Sequence, residues 1–216
     1  MSDNAALIIF ENDRVSTYSL CGRKQWTIGR GSDNVSVDIS ILSPIVGKLH
    51  GQFIQFGSEW FYTDNGSING TYYNGRRIKN GINGSITPII LSEGDVLRID
   101  SGNFENPDPR GVLMVFTMHG RKSHWNKYII GNKRKIVVGS DSGKCNIIAE
   151  SEKVVSKYFT IKSVKRYLQI FTCDGSKEIF INNRPVQSKM ELKEKDVIRI
   201  DNKYWIYSNN SILYNT

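Results

Sequence analysis

The sequence predicts an all-β protein built as two tandem β-sandwiches, and three observations carry that prediction. The chain repeats itself once, its apolar residues fall in short β-branched and aromatic runs, and turn dipeptides separate those runs. With 216 residues, 39% of them hydrophobic and 11% aromatic, there is material for two domains of ordinary size, each with its own core.

The repeat is collinear. LSEGDVLRID (91–100) recurs as LKEKDVIRID (192–201), and YYNGRRI (72–78) matches FINNRPV (180–186). Upstream, VGKLHG (46–51) lines up with VSKYFT (155–160), and WTIGRGSDN (26–34) with IVVGSDSGK (136–144). The offset of roughly 101 to 110 residues is too long for a solenoid and suits a duplicated domain. The expected domains are 1–118 and 119–216, joined in the polar, basic stretch HGRKSHWN at 119–126.

The strands follow from composition. Gln52–Phe56, Trp60–Thr63, Val112–Met118, Tyr167–Thr172 and Tyr204–Tyr207 are β-branched and aromatic. Asn65-Gly66, Asn69-Gly70, Asn74-Gly75, Asn83-Gly84, Asp174-Gly175 and Asn182-Asn183 supply turns between runs. No long window holds a 3.6-residue apolar period, so helices are not expected.

Several functional classes have little support. No run approaches the ~18 apolar residues that span a bilayer, and the apolar run near the N-terminus is too short for a signal peptide. Three cysteines (Cys21, Cys145, Cys173) without C-x-x-C spacing suggest reduced thiols in a cytosolic setting. There is no phosphate-binding G-x-x-x-x-G-K-[ST] loop, no H-E-x-x-H and no Cys/His cluster with metal spacing. No enzyme, cofactor, metal or small-molecule substrate is therefore expected. Charge is uneven: residues 1–120 hold 10 Lys+Arg against 12 Asp+Glu, and residues 121–216 hold 19 against 9. A basic half points to nucleic acid, an anionic membrane surface or an acidic protein, or is a solvated lysine-rich surface. The basic residues are scattered along strands with no recognition helix, which disfavours nucleic acid.

An ordered signature runs through the first half: Gly29-Arg30 after a strand, His50 within VGKLHG, then SINGTYYNG (67–75), then EGDVLRI (93–99). It resembles the forkhead-associated (FHA) domain, with its Gly-Arg, Ser-x-x-His, Asn-Gly and Gly-Asp-x-Ile pattern. The resemblance covers most of residues 5–118 and implies a β-sandwich that reads phosphothreonine peptides through loops at one end. Residues 126–210 resemble a second, degenerate copy. The tandem also resembles the cytosolic N-terminal region of EssC-type (FtsK/SpoIIIE family) ATPases of Gram-positive type VII secretion systems.

The resemblance implies roles for particular residues. A phosphate demands guanidinium and hydroxyl donors, and Arg30 matches the family's phosphate-reaching arginine. Lys48 keeps the basic position, but Gly47 replaces the serine of Ser-x-x-His. Asn69 matches the asparagine that grips the peptide backbone. Ile68 stands where Ser or Thr would touch phosphate, leaving Ser67 and Thr71 as substitutes. Gly29, His50 and Gly70 are implied loop supports, and the glycines, like the Asn69-Gly70 hairpin signal, also read as turn geometry alone. In the second half Ser140 stands for Arg30, Phe159 for His50 and SKE (176–178) for the Asn-Gly signature, with Ser156 and Lys157 retained.

The expected function is that of a cytoplasmic protein-interaction module, docking partners on a membrane-tethered secretion ATPase and reading phosphothreonine in the first domain. The alternative is a phosphate-independent scaffold whose basic second domain contacts anionic lipid or nucleic acid.

Overall fold

The computed structural model describes residues 4–78, 87–102, 108–120, 124–149, 157–165, 167–173 and 178–215. The expected turns at Asn83-Gly84 and Asp174-Gly175, Ser156, and most of the 176–178 segment lie outside these residues. Every regular element among them is a β-strand, and the chain divides into two compact units, residues 1–122 and 123–216.

The first unit comprises β1 (Ala6–Glu11), β2 (Arg14–Ser19), β3 (Gln25–Gly29), β4 (Ile39–Ser40), β5 (Gly51–Phe56), β6 (Glu59–Asp64), β7 (Thr71–Tyr73), β8 (Arg76–Arg77), β9 (Ile89–Leu91), β10 (Val96–Ile99) and β11 (Val112–Thr117). They form two sheets, in the orders β2-β1-β11-β10-β7-β8 and β4-β3-β5-β6-β9. Strands of both sheets contribute to one apolar core, including Leu7, Ile9, Ile28, Phe53, Trp60, Leu97 and Phe116. The unit runs slightly past residue 118: the Gly120 amide donates to the Asn4 carbonyl at 2.6 Å.

The second unit comprises β12 (Trp125–Ile129), β13 (Lys135–Gly139), β14 (Ile147–Ile148), β15 (Phe159–Val164), β16 (Tyr167–Thr172), β17 (Phe180–Ile181), β18 (Arg184–Pro185), β19 (Lys189–Leu192), β20 (Val197–Ile200), β21 (Lys203–Ser208) and β22 (Ser211–Asn215). Its sheets run β12-β22-β21-β20-β17-β18 and β14-β13-β15-β16-β19. The core again draws on both, with Ile136, Val138, Phe159, Ile161, Ile198 and Trp205.

Turn chemistry fixes several hairpins. Asn74 (φ 46°) and Gly75 (φ 80°) join β7 to β8, and Asn182 (φ 48°) and Asn183 (φ 60°) do the same for β17 and β18. Two left-handed residues in succession match the twist of the strands that they connect. The most similar repeat segments do scaffold work. Asn74 Nδ2 donates to Asp95 at 2.8 Å while Asn74 Oδ1 accepts from the Val96 amide at 2.9 Å. In the second unit Asn182 bonds Asp196 at 2.7 Å and the Val197 amide at 3.0 Å. This brace ties a hairpin to β10 in the first unit and to β20 in the second.

The two units differ in the origin of one strand. In the first, the slot between β2 and β11 is filled by β1, which precedes β2 through the Asn12-Asp13 turn. In the second, the slot between β12 and β21 is filled by β22, which follows β21 through Asn209-Asn210. The slots are equivalent down to a single bond: Leu20 N to Ala5 O at 2.8 Å in one, Ile130 N to Asn210 O at 2.9 Å in the other. The second unit is thus a circular permutation of the first.

Strand register also corrects one expected pairing. Ile28 faces Gly51 across β3 and β5, and Val138 faces Phe159 across β13 and β15. Gly51 therefore corresponds to Phe159, and His50 to Tyr158. The matching bonds agree, His50 N to Ile28 O and Tyr158 N to Val138 O, both 2.8 Å. The same register makes Lys157 the counterpart of Leu49 rather than of Lys48.

Candidate functional site

The loops at one end of the first unit are assembled around Gly29. A Cβ built on Gly29 would lie 2.3 Å from the Lys48 carbonyl oxygen and 2.9 Å from that of Gly47, so only glycine lets these backbones approach. The approach is then bonded: Arg30 N donates to Gly47 O and Gly31 N to Lys48 O, each at 3.0 Å. Arg30 and Lys48 are thereby held on adjoining backbone, and both side chains are exposed. Asn69 joins this loop from the other sheet's side, its Nδ2 donating to Ile45 O at 2.6 Å.

His50 braces the arrangement from inside. It is fully buried, and its Nδ1 accepts from the Gly47 amide at 3.1 Å. An accepting Nδ1 leaves the proton on Nε2, which faces the Thr71 hydroxyl at 3.1 Å. Thr71 in turn donates to Asp64 Oδ2 at 2.7 Å and receives the Tyr62 hydroxyl at 3.0 Å. Every capacity of the Thr71 oxygen is thus filled. Burial holds the His50 imidazole below its usual pKa, against the opposing pull of the Asp64 carboxylate. Burial also pushes the Tyr62 phenol up, which keeps its proton available to Thr71.

Two expected phosphate contacts are therefore corrected. Thr71 has no exposed surface, because it starts β7 on the inward face. Ser67 is spent on its own turn: its hydroxyl donates to Asp64 Oδ2 at 2.8 Å and accepts from the Gly70 amide at 3.0 Å. Gly70 (φ 76°) continues that turn into β7, beneath the Arg77 side chain. Asn69 has part of its amide engaged within the fold. Ile68, by contrast, is 95% exposed.

Sequence reasoning missed three participants. Asp64 and Tyr62 lie in an ordinary strand pattern, with nothing local to announce the network. Arg77, whose Nη2 donates to the Asn69 carbonyl at 3.2 Å, carries no mark of that contact in YYNGRRI. It adds a third exposed cation beside Asn69.

The second unit replaces this network with largely apolar groups. By strand register, Ile170 stands at the Tyr62 position, Thr172 at Asp64 and Ile179 at Thr71. Ile170 and Ile179 are buried, Phe159 packs edge-on against Trp205 at 5.4 Å, and Pro185 takes the place of Arg77. With Ser140 in place of Arg30, the second unit keeps the scaffold and lacks the guanidinium at that position. Among the described residues no group of three His, Cys, Asp or Glu could hold a metal ion.

Residues 26–100 match the family model of the FHA domain. The E3 ubiquitin-protein ligase rnf8 of Danio rerio is 27% identical over 147 residues, which is 67% of this chain but only 25% of that ligase. Among solved structures, yeast Pml1p is 27% identical, over 52% of this chain and 80% of its own, with a TM-score of 0.41. The N-terminal FHA domain from EssC, a component of the bacterial type VII secretion apparatus, aligns over 98% of this chain and 92% of its own, at 13% identity and a TM-score of 0.41.

Proposed function

Residues 26–100 being an FHA domain, we propose that this chain is a protein-docking module whose first unit binds phosphothreonine-containing partners through Arg30 and Lys48. FHA domains are non-catalytic protein-interaction modules. The observation that carries the reading is the pair of backbone bonds, Arg30 N to Gly47 O and Gly31 N to Lys48 O, that joins the backbones of two residues with exposed cationic side chains. A guanidinium fork beside an ammonium matches a dianion with three acceptor oxygens.

Binding is weak on this reading. With glycine at 47 and isoleucine at 68, two hydroxyl donors are missing, and a hydrogen bond to a charged group is worth ~1.5–3 kcal/mol. The loss is on the order of a hundredfold to ten-thousandfold in affinity. Screening a phosphothreonine peptide library against the intact chain and its Arg30→Ala variant tests the site. Binders in the micromolar to millimolar range that Arg30→Ala abolishes support it. A library without an Arg30-dependent binder leaves a phosphate-independent docking domain.

The finer assignment, to the cytosolic face of a membrane-tethered type VII secretion ATPase, draws on the tandem architecture. It places the basic second unit toward anionic lipid. Transmembrane segments and Walker motifs encoded after Thr216 in the parent gene would support it, and a stop codon there would end it.

A further inference from the structure

The lysines of the second unit are not evenly scattered. Side chains alternate along a strand, and Ile136, Ile161 and Met190 pack on the core side of their sheet. Their neighbours Lys135, Lys162 and Lys189 therefore share the outer face, and all three are exposed. Lys135 stands directly opposite Lys162 across β13 and β15, and Phe171 opposite Lys189 across β16 and β19. Lys162 Nζ lies 4.7 Å from the Phe171 ring centroid. Like charges facing each other across a ladder destabilise a sheet. The only acid on the outer face of these strands is Glu191, paired with Gln169.

The equivalent face of the first unit lacks this charge. Register places Gln25 at the Lys135 position and Ile54 at Lys162, and Gln25 bonds Gln52 at 2.8 Å. Residues 1–122 balance at 12 Lys+Arg against 12 Asp+Glu, whereas residues 123–216 hold 17 against 9.

We propose that this outer face, carrying Lys135, Lys162 and Lys189, is a docking surface for an anionic lipid membrane. The inference rests on the reading that the basic second unit contacts anionic lipid, and it assigns the contact to one face. Lysines are compact, hydrated charges on flexible stems, without the planar fork that fixes a discrete partner. They suit a diffuse layer of headgroup charge. Tyr167, 58% exposed, sits on the same face, and aromatic rings settle at the headgroup level of a bilayer.

Co-sedimentation of the intact chain with phosphatidylglycerol vesicles at low salt tests the proposal, with phosphatidylcholine vesicles as the neutral arm. Each lysine near an anionic surface contributes ~1 kcal/mol, so the triple change Lys135→Gln, Lys162→Gln, Lys189→Gln lowers partitioning on the order of a hundredfold. An equal loss of charge from the other sheet, Lys127→Gln, Arg184→Gln, Lys203→Gln, lowers it far less. Thermal melts establish that both variants remain folded. Equal losses from the two triples overturn the face while lipid contact stands. An intact chain that does not sediment with anionic vesicles overturns lipid contact itself. A labelled oligonucleotide that binds through the first triple, without vesicle binding, overturns the proposal in favour of nucleic acid.

Discussion

A methyl group on Gly29 would stand 2.3 Å from the carbonyl oxygen of Lys48, well inside contact distance with backbone that is itself hydrogen-bonded. Neither side can give way without parting Arg30 from Lys48. Gly29→Ala should therefore destabilise the first unit by roughly 1–3 kcal/mol, as overpacking does. It should also weaken any Arg30-dependent peptide binding. Urea denaturation and peptide titration check both; an unchanged midpoint with unchanged affinity would contradict the close-approach account.

His50 makes the first unit sensitive to mild acid. Its folded pKa is lowered by burial, so below its unfolded value near ~6.5 the unfolded chain takes up protons that the folded chain refuses. The stabilisation is complete above that value and is lost as pH falls through it toward the folded pKa. A protonated Nδ1 would also face the Gly47 amide donor to donor, releasing the loop. Urea midpoints should fall between pH 7 and pH 5 in the natural protein. In His50→Asn, which has no imidazole to titrate, that part of the dependence should vanish. Identical slopes in the two proteins would rule His50 out as the cause.

The missing hydroxyls can be restored. A Cβ on Gly47 meets only His50 atoms at 3.5–3.8 Å, an ordinary contact, and Ile68 is 95% exposed. Gly47→Ser with Ile68→Thr should fold normally and raise affinity for a phosphothreonine peptide by roughly ten- to a hundredfold per hydroxyl. The unphosphorylated peptide should gain nothing. No gain for the phosphopeptide would mean that the loop end does not hold a phosphate.

Each unit has its own core, so residues 1–122 and 123–216 should fold separately and give β-rich circular dichroism with cooperative melts. Truncating the second fragment at residue 208 removes β22 with its buried Ile212 and Leu213, and should abolish its transition. A truncated fragment that still melts cooperatively would show β22 to be dispensable.

The sequence disclosed what local chemistry dictates. Asn74-Gly75 and Asn182-Asn183 announce hairpins through left-handed backbone, and the Asp95 and Asp196 braces recur because both scaffolds need them. Gly29, Arg30, Lys48 and His50 were legible as a motif. What stayed hidden was decided across strands. Thr71 looks like a surface hydroxyl in SINGTYY, yet strand alternation turns it inward onto His50. Matching VGKLHG to VSKYFT rewarded shared Val and Lys, while a loop of different length moved the true register by one residue. The origin of β22 was invisible because SILYN carries no mark of where it pairs.

Because β1 precedes its ten companion strands and β22 follows its own, the order in which the chain presents this strand is irrelevant to the final topology. In kinetic terms, a nucleus drawn from the ten strands that both units present in the same order would serve either half. With such a nucleus the slot strand would dock after the barrier is crossed. Substitutions in β1 or β22 should then quicken unfolding and leave folding rates almost unchanged. The two halves of one molecule thus present one sandwich in two chain orders, and comparing their folding and unfolding rates would locate the nucleus.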